Sequence, residues 1–390
     1  MITVEPEAPI EAEAAPRRRF GPRSHLTSGG LALILTSGIT SVLGLPYWVI
    51  AARSYSAAEV GIGSALVSTM LLLSSLSTGG LKRSLIRFVP EAGAGARRLV
   101  TRTYALALLA GCGAAIVFVL GVGLWAPELD VLRDDLLLGA AFVVGVGFWG
   151  LFQLQDSVLV ALRRPWVVPL ENVAFSLGKI VLLVGLAAVV PVAGVYLSWA
   201  VPALVAVVVV TTWLVRTQAT PAPVEGAVAA TGREMTRFAG AEHLASLLWH
   251  GTMHATPLLV LALLGPAQNA SYYVATQIAY ALYLVGSNVG DVLVAEGAIE
   301  RHNLHRSLQT AAQQVVGFLV PGVAVMVVGA PWILAAFGGG YSADATTLLR
   351  LLALSFVPNT AVSLLVGVAQ VRGRMGRVVA IYAAIAAASL

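Results

Sequence analysis

The 390-residue chain is 58% hydrophobic, carries only 11% charged residues and has a mean hydropathy of +0.85. A soluble domain carries about 25% charge, and a chain this apolar could not cover a water-facing surface with polar groups. Composition therefore excludes a soluble globular protein and predicts an all-α integral membrane protein.

Residues 1–28 are a different material. The first sixteen are rich in Glu, Ala and Pro, and Arg17, Arg18 and Arg19 follow. Such a stretch builds no core and reads as a disordered cytoplasmic tail. It does not read as a secretory signal, because the first apolar run is too long and lacks a cleavage site.

From residue 29 onward, apolar segments recur at 29–51, 60–81, 102–125, 136–161, 166–190, 193–215, 238–264, 268–290, 308–335, 345–370 and 377–390. A helical span needs about 20 mostly apolar residues, so these predict about eleven transmembrane helices. Short connections make neighbours antiparallel. The one cysteine, Cys112, lies within an apolar run and reads as a small core residue.

Orientation follows from the bias of Lys and Arg between loops. With the N-terminus inside, the basic clusters at 17–23, 82–102, 163–164, 216–237, 301–306 and 372–377 all fall on the cytoplasmic side. Only Arg53, Arg133 and Arg350 fall outside, beside the acidic Glu128, Asp130, Asp134 and Asp135. A single missed span would invert every later loop and destroy this pattern. The pI of 9.6 is thus mainly a topology signal, and no nucleic-acid partner is expected. The predicted location is a bacterial-type inner or plasma membrane.

The halves look related at a shift of about 210 residues. ARSYSAAEVG (51–60) follows the first segment as LALLGPAQNA (261–270) follows the seventh, and Pro46 corresponds to Pro257 within one residue. VALRRPWVV (160–168) aligns with VRGRMGRVV (371–379). A six-helix unit is even, so the copies would be parallel, a repeat type used by secondary transporters. The predicted organisation is a tail (1–28), an N-lobe (29–215), a cytoplasmic linker (216–237) and a C-lobe (238–390). On this repeat the eleventh segment stops about fourteen residues in. The expectation is a longer native protein or a truncated product, with a re-entrant stub as the alternative.

The stretch ARSYSAAEVGIGSALVSTMLLLSSLSTGGLKRSLIRFVPE (51–91) resembles the start of Wzx-type polysaccharide flippases of the multidrug/oligosaccharidyl-lipid/polysaccharide (MOP) superfamily. Arg53, Tyr55, Glu59 and Gly61 match an R-x-Y/L-x-x-x-E/D-x-G element between the first two helices. Arg87, Phe88 and Pro90 match a basic R-F-x-P-like stretch, and FGGGYSADATTLLRLLALSFV (337–357) resembles an outer loop entering the tenth helix. The resemblance implies two six-helix lobes in a V, as in multidrug and toxic compound extrusion (MATE) proteins. The second lobe here would be incomplete. It implies alternating-access movement of a polyprenyl-pyrophosphate-linked oligosaccharide from inner to outer leaflet. The cavity would be lined by the first, second, seventh and eighth helices. Implied partners are the lipid-linked oligosaccharide, membrane lipids, a polysaccharide polymerase and glycosyltransferases.

An ionisable group within a span is costly and faces a cavity or a partner. Lys179 is the clearest case: it attracts the substrate pyrophosphate, or it is tied internally to Asp156 or Glu171. Tyr273, Gln277, Tyr280, Ser287, Asn288 and Asp291 form a polar stripe on the eighth segment, suited to sugar contacts or to helix packing. Ser64, Ser68, Ser75, Thr78 and Lys82 form a similar stripe on the second. His243, His250 and His254 share one face of the seventh, as a protonatable or pyrophosphate-binding face, a lobe-interface set or, least favoured, a zinc site. Asp291 with Asn288 could bind a coupling cation or simply be solvated. Arg53 receives phosphate in an outward state or caps its helix. Arg83 and Arg87, with Arg97 and Arg98, gather anionic headgroups or only set topology.

No Walker A sequence, nucleophile elbow or metal motif is present. No cofactor is expected, and an enzyme is not. Two alternatives remain. A drug/cation antiporter of the same superfamily would often use a membrane-embedded acid in the first or seventh helix. The first segment has none, and the seventh has only Glu242 near its end. A membrane polymerase or ligase would usually need a large outer loop, and the outer loops are short.

Overall fold

The computed structural model describes residues 43–217, 232–299, 304–371 and 375–389. The predicted tail and most of the predicted linker lie outside the described residues. In chain order the helices are α1 (43–54), α2 (Ala57–Thr78), α3 (Leu81–Glu91), α4 (Ala96–Trp125), α5 (Val131–Asp134) and α6 (Leu136–Ala161). There follow α7 (Val167–Leu186), α8 (Pro191–Arg216), α9 (Gly232–Leu264), α10 (Pro266–Ile299), α11 (Leu304–Ala335), α12 (Gly339–Val371) and α13 (Met375–Ser389). No strand occurs among the described residues. Seven of the described helices are long and apolar enough to cross a bilayer. The chain is a multi-pass helical membrane protein.

Local chemistry sets the helix starts. Ser56 caps α2 in a reciprocal box: the Glu59 backbone N–H donates to Ser56 Oγ (3.3 Å) and the Ser56 backbone N–H donates to Glu59 Oε2 (2.7 Å). Asp135 caps α6 by accepting from the backbone N–H groups of Leu137 and Leu138. Pro191 and Pro266 open α8 and α10, where a missing N–H costs nothing. Gly265, at φ +85°, makes the sharp turn between α9 and α10.

Where it is described, each apolar segment read from the sequence falls on a helix; residues 29–42 of the first lie outside the described residues, and α6 has the expected limits. α3 was not expected as a helix. Its Leu85, Phe88 and Val89 are buried while Arg83, Ile86 and Arg87 are exposed. It is an amphipathic helix between two spans, of the kind that lies in a membrane interface.

α2 is the hub. It packs on α4, α6 and α8 and also on α9 and α10, while α10, α11 and α12 pack together. Its first turn meets α10 so closely that a Cβ added at Gly61 would overlap the Pro266 carbonyl oxygen. Asn269 Nδ2 then donates to the Gly61 carbonyl oxygen (2.8 Å). At the other end, a Cβ on Gly79 would overlap the His243 ring of α9. Lipid replaces water outside: Leu109, Leu120 and Leu124 of α4 and Leu170 and Val181 of α7 are each at least 70% exposed.

Candidate functional site

Lys179 sits in a nest of rings. Phe175 lies one helical turn earlier on α7, on the same face. α1 supplies Tyr47 and α8 supplies Trp199. The ammonium lies 4.4 Å from the Trp199 ring, 4.8 Å from Tyr47 and 5.4 Å from Phe175. Each ring face carries negative charge density that attracts the cation. The side chain is 6% exposed. Among the described residues it has no hydrogen-bond acceptor and no carboxylate in ion-pair range. The internal tie to Asp156 or Glu171 is therefore not what holds it.

The nest is larger than its three rings. Trp149 lies 5.5 Å from Trp199 and 5.6 Å from Phe175, and Trp48 packs 4.7 Å from Tyr273. The Tyr47 hydroxyl is shared with Ser198 Oγ (2.7 Å). The indole N–H groups of Trp149 and Trp199 are buried without an acceptor. Trp199 lies near the Tyr47 hydroxyl but not in hydrogen-bonding geometry. One ammonium and two indole donors are thus buried together with no acceptor of their own. Such a set can receive an anion and stack on flat apolar faces.

A second polar group lies toward the Lys/Arg-rich ends of the helices. Lys82 Nζ donates to Gln153 Oε1, and Gln153 Nε2 donates to Ser74 Oγ (3.2 Å). His250 and His254 of α9 stack with ring centres 5.9 Å apart and interact electrostatically with Lys82. Their spacing made a shared face legible; its direction, toward Lys82, was not. No group of three or more His, Cys, Asp or Glu among the described residues is placed to hold a metal ion.

The remaining expected residues divide. On α10, Tyr273 is buried, Gln277 half-buried and Tyr280 41% exposed, so the stripe grades outward from the α1 junction. The side chains of Ser287, Asn288 and Asp291 lie outside the described residues. On α2, Ser64, Ser75 and Thr78 donate to carbonyl oxygens one turn back in their own helix. They are helix-packing residues in this conformation, and only Ser68 Oγ is buried unpartnered.

Arg53 neither caps its own helix nor stands free. Its Nε donates to the Ala336 carbonyl oxygen (2.8 Å), just past the end of α11. A cation there complements the carbonyl end of a helix. Tyr55 OH donates to the Leu183 carbonyl oxygen (2.7 Å). Together with capping Glu59 and close-packed Gly61, the whole Arg53–Gly61 element forms one junction. Arg83 and Arg87 are exposed on α3, Arg87 stacking on Phe88 at 5.1 Å.

No protein-family model matches the sequence, and no curated protein matches it. Solved structures do. An outward-facing multidrug resistance MATE family transporter of the MOP superfamily superposes with a TM-score of 0.65 at 13% identity, covering 92% of this chain and 84% of that one. An inward-facing one gives 0.64 at 17% identity, covering 90% and 83%. A MOP superfamily transporter from Pyrococcus furiosus, described by a reversed polarity of its binding pocket that suggests a different function, gives 0.63 at 15% identity, covering 92% and 84%. Across nine-tenths of its length, then, the chain has the fold of MATE transporters of the MOP superfamily.

Proposed function

We propose that the chain is a membrane transporter that carries a polyprenyl-pyrophosphate-linked oligosaccharide from the inner to the outer leaflet by alternating access, for cell-surface polysaccharide assembly. The basic clusters support an orientation with the N-terminus in the cytoplasm. The observation that carries the reading is the nest around Lys179. A cationic drug binds against carboxylates or open aromatic faces, and here the ring faces are already taken by the Lys179 ammonium. This nest offers an ammonium and two indole N–H donors with no acceptor among the described residues, a donor set suited to a pyrophosphate. The aromatic faces around it suit sugar rings. Lys82, with the imidazoles of His250 and His254 beside it, adds a second set of polar groups nearer the cytoplasm. In this conformation Lys179 is covered, so substrate reaches it only when α1 moves off α7 and α8.

The multidrug antiporter reading draws on the names of the superposed structures. The polarity of the nest opposes it, and the P. furiosus protein is described as a case in which pocket polarity bears on function within this fold. A deletion strain decides between them. It should accumulate lipid-linked oligosaccharide on the inner leaflet and lose surface glycan. Normal glycan with unchanged lipid intermediates would overturn the flippase reading.

A further inference from the structure

A cavity among the N-terminal helices takes no part in the Lys179 nest. α4 and α8 both pack on α6 and not closely on each other, so a cleft remains between them. It holds about 440 Å³, within the range of about 300–1,000 Å³ that small-molecule sites occupy. Val100 of α4, Val158 and Leu162 of α6 and Leu214 of α8 make its wall apolar. No described residue after Val215 lines it, so it lies apart from the packing of α2 on α9 and α10.

One face of α4 grades from charge to hydroxyl along this cleft. Arg97, Thr101 and Tyr104 are four and three residues apart, so they share a face, and all three line the cavity. Arg97 and Thr101 are exposed at its mouth, and Arg97 has no partner among the described residues. Gly95 starts α4 with no side-chain cap, so the positive end of a 30-residue helix stands at the mouth as well. Exposed Arg163 and Arg216 directly follow the lining residues Leu162 and Val215, and Arg164 stacks on Trp213 at 4.7 Å. Deeper in, Tyr104 is 9% exposed and its hydroxyl is buried without a partner. Asp156 and Glu171 interact electrostatically with Tyr104, but neither lines the cavity. Gln155 Nε2 donates to Glu171 Oε1 (2.6 Å), and Lys82 is the cation that interacts with Asp156. Tyr104 is also seven residues from Arg97, about 10 Å along the helix, so an anion at the mouth is remote from both acids.

We propose that this cleft binds one anionic glycerophospholipid. Its phosphate sits at Arg97 and the start of α4, an ester carbonyl accepts from the Tyr104 hydroxyl, and an acyl chain lies along the apolar wall. Charge, then hydroxyl, then hydrocarbon is the order in which a phospholipid presents its own parts from the interface inward. Basic pockets between membrane helices recognise anionic headgroups in this way. A soluble anion would leave the apolar wall and the Tyr104 hydroxyl unmet. Only the choice of the inner leaflet rests on the orientation proposed above.

Native mass spectrometry of the purified full-length protein in detergent tests this without a transport substrate, so it and the glycan reading fail separately. The probes are phosphatidylglycerol and phosphatidylcholine with identical chains, and inorganic phosphate serves as competitor. The wild type should hold its first phosphatidylglycerol more tightly than phosphatidylcholine, and phosphate should not displace it. Arg97→Gln should weaken that phosphatidylglycerol about fivefold, the worth of one basic residue to a headgroup, and erase the preference. Arg102→Gln removes the same charge at an exposed position outside the cleft and should change nothing. Tyr104→Phe should weaken both lipids alike, and Thr101→Trp, which fills the mouth, should abolish the first binding step for both. Arg97 and Thr101 are exposed, so these variants leave the core intact and decide the matter even if Tyr104→Phe fails to assemble. Equal losses in Arg97→Gln and Arg102→Gln would reveal a diffuse basic surface and overturn the proposal. So would full binding in Thr101→Trp, unchanged binding in Tyr104→Phe, or displacement of the lipid by inorganic phosphate.

Discussion

Replacing Lys179 with methionine separates what the amine does for the fold from what it does for a ligand. Three ring contacts at 4.4–5.4 Å stabilise a desolvated ammonium by about 0.5–2 kcal/mol each. Against this stands the cost of taking an ammonium out of water, several kcal/mol after relaxation. Methionine has a similar length, needs no hydration, and gains about 0.3–1.5 kcal/mol from sulfur–ring contacts. The balance favours Lys179→Met: stability unchanged or raised by about 1–4 kcal/mol, the range seen when buried ionic groups give way to apolar ones. Thermal unfolding in detergent, followed by tryptophan fluorescence, reads the sign directly because Trp149 and Trp199 flank the site. The same variant should lose complementation of the deletion strain. A loss of more than about 2 kcal/mol, well outside that range, would make the amine a structural tie. Full complementation would remove it from the transport path.

Other outcomes follow from close contacts and backbone geometry. Gly61→Ala should force α2 off the Pro266 carbonyl and break the Asn269 bond, raising thiol labelling of a cysteine placed at Ser56; Gly44→Ala, with nothing close to it among the described residues, should leave labelling unchanged. Gly79→Ala should impair function through the His243 ring, and His243→Ala should restore it in the double variant. Arg163 ends α6 in a left-handed conformation (φ +57°), with the Arg164 N–H reaching the Leu159 carbonyl oxygen (2.8 Å). Arg163→Gly should therefore raise stability by about 1 kcal/mol, and Arg163→Val should lower it, both measured by thermal unfolding.

The sequence exposed what depends on residues close together in the chain. Apolar runs set the helix limits because lipid demands about 20 uninterrupted apolar residues, which is why α6 was found at its actual limits. The α9 histidines were legible as one face because His250 and His254 are one turn apart. α3 escaped because eleven residues containing three cations and a proline, LKRSLIRFVPE, look like a basic loop until the buried Leu85, Phe88 and Val89 are seen on one side. The surroundings of Lys179 were out of reach for a different reason. Tyr47 lies 132 residues before it and Trp199 on the following helix, and no local pattern says that these rings converge on its amine. Asp156 and Glu171 are the acids nearest to Lys179 in sequence, which makes them its obvious partners on a linear reading. But Glu171 is eight residues away, about 12 Å along one helix, and both acids sit with Gln155, Tyr104 and Lys82 instead. Arg53 shows the same limit: its partner, the Ala336 carbonyl, is 283 residues away.

On the proposed function, an anionic lipid-linked glycan passes through the donor-lined nest. The most direct measurement uses purified protein in vesicles carrying a fluorescent polyprenyl-pyrophosphate oligosaccharide, with a membrane-impermeant quencher reporting the leaflet of each molecule. Wild type should speed transfer between leaflets, Lys179→Met should not, and the same lipid without its pyrophosphate should move no faster than in protein-free vesicles. Equal rates with wild type and Lys179→Met, or no acceleration by wild type while it still expels cationic dyes, would rule out glycan transfer through the nest.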